Sequence, residues 1–169
     1  MNLSDESWIV REATVSDAES VTRIYNYFVT ETIATFEERP VSPDDMAQRV
    51  EDVVSSGLPW LVGERDREVC GFAHATRWKR RNAYRFSVET TVYVDPGHVG
   101  RGLGSRLYEE LLSRLKDRGL HAAMGGIALP NDASIALHEK FGFRKVAHFE
   151  QVGYKFNHWI DVGYWERVL

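Results

Sequence analysis

Apolar residues recur along this chain at two spacings, and the switches between them predict the order of its elements. Trp8 to Arg11 reads as a short β-like start. Val21, Ile24, Tyr25 and Phe28 then fall at helical spacing and form one apolar face. Ser16 with Glu19 has the form of a capping box that opens this helix. A second helix starts at Ser42-Pro43-Asp44-Asp45, with proline at the first helical position and carboxylates at the positive end of the helix dipole. Met46, Val50, Val53 and Val54 supply its face, and Gly57 ends it. The stretch between the two, ETIATFEERP, is polar at both ends around Phe36 and reads as a loop placed to cover a site.

The period then shortens. Trp60–Glu64 and Glu68–Trp78 read as two strands joined by the charged turn Arg65-Asp66-Arg67. The basic connection Lys79-Arg80-Arg81-Asn82 leads into a long apolar strand within Arg85–Ser105, RFSVETTVYVDPGHVGRGLGS, which ends in a turn and a glycine-rich loop. Leu103, Leu107, Leu111, Leu112 and Leu115 lie on one face of the helix that follows, with Gly119 as its C-cap. His121–Leu129 is a further strand, and Asn131-Asp132 caps a short helix ending at Gly142. Arg144–Gln151 and His158–Val168 close the chain as strands. The pattern predicts a single α/β (α+β) domain over residues 1–169 with a mixed sheet.

Composition narrows the partners. With 169 residues, 27% of them charged and a formal net charge of -4, the chain is ordinary for a globular protein and a poor fit to nucleic acid or an anionic membrane. No apolar run approaches the ~20 residues that span a bilayer. The one cysteine, Cys70, has no partner for an internal disulfide. The N-terminal MNLSDESWIV carries acidic residues where a secretion signal carries basic ones, so the expected location is cytoplasmic. The six histidines show no metal-binding spacing, and no metal is expected.

The chemistry centres on G-R-G-L-G-S. Gly100, Gly102 and Gly104 let a backbone turn tightly at the mouth of a helix, where free N–H groups and the dipole receive an anion. Two familiar phosphate motifs fail here. A P-loop needs Lys and then Ser or Thr after its last glycine, where this chain has Ser105-Arg106. A dinucleotide fingerprint needs its first glycine directly after the strand, and Asp95-Pro96-Gly97-His98-Val99 intervenes.

Strand–DP–turn–GRGLGSRL, followed after one strand by LPNDASIALHEKFGF, resembles the GNAT family of N-acetyltransferases over essentially the whole chain. WKRRNAY, SVETTVYV, LPNDASIALHE and GYKFNHWIDVGYW resemble its phosphinothricin and methionine sulfone/sulfoximine N-acetyltransferase branch. The resemblance implies a mostly antiparallel central sheet of about 6–7 strands flanked by about 4 helices. It implies acetyl-CoA as cosubstrate, with pantetheine pairing to the main chain of Val92, Tyr93 and Val94. The diphosphate would be cradled by Gly100, Arg101, Gly102, Leu103, Gly104 and Ser105, and Asn131 would contact the cofactor beyond the thioester. Where the family has Gln or Arg three residues ahead of the first of its two motif glycines, this chain has Val99, which leaves the cradle to backbone N–H groups and Arg101.

For catalysis the resemblance implies Glu89 as the base that takes a proton from the acceptor's amine. His138 stands where many members carry a tyrosine that protonates the departing thiolate; a role packed under the cofactor is the equal alternative. Phe36, Lys79, Arg80, Arg81, Tyr84, Thr90 and Thr91, with Glu89, would meet a small amino acid analogue, and the branch implies a homodimer. The expected reaction is N-acetylation of that analogue's α-amine by direct attack. Acetylation of protein N-termini or other amines, and a non-catalytic CoA-binding regulator, are the competing readings.

Overall fold

The helical stripes and the alternating strands close on one seven-stranded sheet. This computed structural model describes residues 8–169; residues 1–7, part of the acidic stretch read above, lie outside the described residues. The elements are β1 (Ile9–Glu12), α1 (Ala18–Glu31), α2 (Pro43–Ser55), β2 (Trp60–Arg65), β3 (Glu68–Arg77), β4 (Ser87–Val94), α3 (Leu103–Asp117), β5 (Ala122–Ala128), α4 (Asp132–Lys140), β6 (Arg144–Lys155) and β7 (His158–Val168). The strands run in the order β1-β2-β3-β4-β5-β7-β6, and every neighbouring pair is antiparallel except β4 and β5. Helices α1 and α2 lie on one face over β2 and β3, with α3 and α4 on the other. The core sits mainly under α3, where Leu103, Leu107, Leu111 and Leu115 are almost wholly buried against the sheet.

Two local expectations shift. The predicted Ser16–Glu19 capping box does not form. The first helix begins at Ala18, after a 3-10 turn of Val15–Asp17 in which the Thr14 N–H donates to the Asp17 carboxylate at 2.9 Å. Arg11 on β1 grips the same carboxylate through both terminal nitrogens, each at 2.8 Å, and its Nε donates to Glu64 on β2 at 3.0 Å. This strand-to-helix clamp fixes where α1 starts. The second shift is β6, which was expected to stop at Gln151 and runs on to Lys155. Phe156 and Asn157 both have positive φ and make a two-residue hairpin turn, so the two strands stay paired to Lys155↔His158.

Between β4 and β5 the sheet divides. Parallel pairing covers only Ser87↔Ala122, Val88↔Ala123 and Glu89↔Met124. Beyond that rung β5 stays with β7 as far as Ala128, and β4 stays with β3 as far as Val94. The gap between them positions the candidate site.

Candidate active site

Register decides which main-chain groups face the gap. Antiparallel rungs alternate between hydrogen-bonded and non-bonded pairs. Trp78 N–H donates to Ser87 O (3.1 Å) and Asp95 N–H to Cys70 O (2.8 Å), which sets that alternation for β3 and β4. The backbone of Glu89, Thr91 and Tyr93 is therefore turned to β3, and that of Thr90, Val92 and Val94 to the gap. Tyr93 thus brings its ring, packed on Tyr25, Phe28 and Phe72, and not its peptide groups. Thr90 closes the head of the gap, its hydroxyl 3.1 Å from Met124 O and 2.7 Å from the Tyr108 hydroxyl. Below it lies a cavity of about 230 Å³ bordered by Val92, Val94, Ile127, Asn131 and His138.

At the far end of β4 the glycine loop turns into α3. Gly100 (φ 76°) and Gly102 (φ 83°) hold the left-handed backbone that a side chain would disfavour. The first in-helix bond here is Arg106 N–H to Gly102 O at 3.0 Å, so the N–H groups of Leu103, Gly104 and Ser105 are left for an outside acceptor. Lys140, at the end of α4, donates to Ser105 Oγ at 2.9 Å and adds a cation beside that cradle. Arg101 is exposed, and the Trp8 indole N–H holds its carbonyl at 3.0 Å. Val99 is 63% exposed beside the gap and brings no charge to this turn. Asn131 spends its Oδ1 on the Ser134 N–H as the cap of α4, at 3.1 Å.

Glu89 stands at the closed end of the gap, half-buried, and among the described residues it has no ion pair within 4.0 Å. Burial pushes its carboxyl above the usual carboxylate range, with Lys79 pulling weakly the other way. A second cavity of about 740 Å³ opens beside it on the face that α1 and α2 leave uncovered. Lys79, Tyr84 and Phe36 border this cavity. Arg80 and Arg81 do not; both are exposed, just ahead of the short 3-10 turn at Asn82–Tyr84. Thr91 borders the gap, and Thr90 is committed to Tyr108 and Met124.

Sequence reasoning missed the aromatic wall. Tyr164 packs edge-on against Trp78 (5.3 Å) and Phe149 (5.9 Å), and its hydroxyl is raised by burial and by Glu89. Gly126 lets Tyr164 and Glu89 approach, since a Cβ there would lie 3.1 Å from both. Alternation along β7 puts Val162, Tyr164 and Glu166 on one face, but only the β5–β7 register shows that this face meets Glu89. Phe36 is set by its loop: buried Lys155 donates to Thr32 O (2.8 Å) and Thr35 O (2.7 Å), while Arg49 and Tyr25 hold Glu37.

His138 is buried on the opposite face of β5. Its Nδ1 donates to Ser134 O at 2.7 Å, and burial pulls its pKa down, so the ring is neutral. Nε2 is buried with no partner among the described residues and carries a lone pair rather than a proton. In this state Nε2 can receive a hydrogen bond, and the ring's one N–H is spent on Ser134 O.

Among the described residues, no three His, Cys, Asp or Glu side chains are grouped to hold a metal, and no helix is long and apolar enough to cross a membrane.

A sheet split beside its central strand, with an anion cradle at one end of the split and a raised carboxylate at the other, is the build of a CoA-dependent acetyltransferase. The Acetyltransferase (GNAT) family model matches residues 21–143, and the chain belongs to that family. Among curated proteins, it is 39% identical to a phosphinothricin N-acetyltransferase of Streptomyces viridochromogenes over 94% of this chain and 86% of that one. It is 36% identical to an L-methionine sulfoximine/L-methionine sulfone acetyltransferase of Salmonella typhimurium, over 95% and 94% respectively. Among solved structures, a phosphinothricin acetyltransferase of Sinorhizobium meliloti in complex with acetyl-CoA superposes with a TM-score of 0.93 at 34% identity, covering 96% of this chain and 88% of that one.

Proposed function

We propose that this enzyme transfers the acetyl group of acetyl-CoA to the α-amine of a small amino acid analogue of the phosphinothricin, methionine sulfone or methionine sulfoximine type, with Glu89 as base. The observation that carries the reading is the position of Glu89 where the β4–β5 gap meets the aromatic cavity. The names of the relatives supply the acceptor class.

Pantetheine lies in the gap as an added strand against the gap-facing peptide groups of Val92 and Val94, with the diphosphate on the N–H groups of Leu103, Gly104 and Ser105. The acceptor sits in the aromatic cavity, its carboxylate toward Lys79. A free amino acid holds its amine mostly protonated near neutral pH. A carboxylate with a raised pKa is better matched to removing that proton than an exposed one. The amine then attacks the thioester carbon, and main-chain N–H groups of β4 meet the oxyanion. Arg80 and Arg81 serve the acceptor only by swinging inward. His138 positions β5 and does not protonate the thiolate. The buried Cys70, its thiol raised chiefly by burial, is no nucleophile.

We assign the working form as a cytoplasmic homodimer of this one domain. Val146, Phe149, Val152 and Trp159 near the β6–β7 edge are 48–61% exposed, an apolar surface suited to a second copy.

A thiol-release assay with phosphinothricin, methionine sulfone and methionine sulfoximine, with glutamate and methionine as controls, tests the reading. Turnover with at least one of the three is expected. Acetylation of peptides alone would move the protein to N-terminal acetylation. Acetyl-CoA binding with no acetylated amine would make it a CoA-responsive regulator.

A further inference from the structure

Glu89 borders a third cavity, of about 490 Å³, on the side of α2. Only Ala34, Glu89 and Gly126 are common to all three cavities, so these meet at the carboxylate. Two of them have occupants in the reading above, on which this inference rests. The third has none.

Proton balance gives it one. The reaction is R–NH3+ + CH3C(O)–S–CoA → R–NH–C(O)CH3 + CoA–SH + H+. One C–N bond forms and one C–S bond breaks. Two protons leave the nitrogen, one for the sulfur and one for solvent. When the acceptor fills the aromatic cavity and pantetheine fills the gap, both plug the routes from Glu89 to water. We infer that the third cavity is the exit through which the proton taken by Glu89 reaches solvent.

Its walls suit that task. Thr76 lies directly across the β3–β4 ladder from Glu89, and the next rung on the same face pairs His74 with Thr91. Direct cross-strand neighbours stand roughly 5 Å apart and diagonal ones about 7–8 Å, spacings that single waters bridge. The volume far exceeds the roughly 10–15 Å³ that admits one water. Arg49 and Asp52 of α2 border the same cavity, and both side chains are partly or wholly exposed. Arg49 is tied to Glu37 at 2.6 and 3.0 Å, which leaves Asp52 as the carboxylate beside the route.

His74 is a wall and not a relay. Its ring stacks 4.1 Å from Trp60, and its Nδ1 is sealed with no partner among the described residues, so no proton can pass from one ring nitrogen to the other. Burial lowers its pKa to about 4, so it stays neutral and does not trap the proton. The remaining titratable groups on this side are Tyr25 and Tyr93, both with raised hydroxyls; Lys79 and Tyr164 face Glu89 from the acceptor side.

The test uses Thr76→Val, which keeps shape and loses the hydroxyl, and His74→Phe, which keeps the stack and makes the wall bulkier and apolar. Each is expected to lower kcat about tenfold, the low end of what proton-transfer groups contribute, with both KM values within about twofold. In stopped flow with an indicator dye, proton release should lag thiol release, and added imidazole buffer should recover part of the rate. If the acceptor's KM rises about tenfold at unchanged kcat, the cavity holds the acceptor's side chain and the inference fails. It also fails if both variants keep wild-type kcat with synchronous release. Glu89→Gln run in parallel separates the two readings. Normal turnover there removes the base itself, whereas a slow Glu89→Gln beside an unaffected Thr76→Val removes only the exit. If His74→Phe does not fold, Thr76→Val decides alone.

Discussion

Gly125→Ala is the sharpest test of how the two faces of β5 are divided. A Cβ built at Gly125 would lie 2.5 Å from His138 Cδ2 and closer still to Nε2, against 3.4 Å for ordinary contact. The ring would have to retreat by about an ångström. It has nowhere to go: Tyr108 and Phe143 flank it at centroid distances of 5.1 and 5.2 Å, and Nδ1 is bonded to Ser134 O at 2.7 Å. Overpacking typically costs about 1–3 kcal/mol, and loss of the Ser134 bond adds about 0.5–1.5. The variant should therefore lose roughly 2–4 kcal/mol. At about 2–4 °C per kcal/mol for a chain of this size, Tm should fall by roughly 4–16 °C. Urea denaturation of wild type, Gly125→Ala, His138→Ala and the double variant gives the coupling directly. The double variant should be more stable than the two single losses add up to, because removing the ring removes the clash. A Gly125→Ala protein within about 0.5 kcal/mol of wild type, or strict additivity, would refute the packing and with it the positioning role of His138.

Four further predictions follow the same lines. Glu89→Gln should cut turnover by about 10²–10⁴ while raising Tm at neutral pH, because an ionised carboxyl whose folded pKa is raised opposes folding there; a normal rate or a lower Tm counts against the base. The wild-type rate should fall as pH drops through a pKa above the ordinary 4.5, since the base works only when deprotonated, and a limb at or below that value contradicts the burial. Asp17→Asn should cost about 1.5–3 kcal/mol at pH 7. Arg11 holds this carboxyl's pKa down, so the benefit exists above the unfolded value and fades as pH falls through the folded one; a gap that widens toward acid would overturn the clamp. Lys155→Met leaves the Thr32 and Thr35 carbonyls unpaired and should raise the acceptor's KM through Phe36, which kinetics at saturating acetyl-CoA would show as a KM change with little change in acetyl-CoA affinity.

Much of this molecule is local and therefore legible in its residues. The leucines of α3, Ser42-Pro43 at the start of α2 and the glycines at positive φ each act within a turn or two of chain, and period and stereochemistry predict them. The start of α1 was misread because its anchor is not local. Ser16 and Glu19 have the right letters, but Arg11 reaches Asp17 and Glu64 from a strand laid down by the sheet. The same holds for Arg80 and Arg81, whose charge marks a basic turn but not the direction in which it points.

Period, capping residues and glycine spacing were enough to predict most of the elements, the glycine turn at the head of α3 and a carboxylate on the central strand, because these depend on neighbours in the chain. What that carboxylate meets depends instead on how the strands pack. The split after Glu89↔Met124, the alternation that turns Val92 and Val94 toward the gap, the Tyr164 wall and the convergence of three cavities all arise between strands far apart in the chain. Burial then raises the pKa of Glu89 and lowers that of His138. Desolvation is a property of the packed whole, and no residue carries it in its own letter.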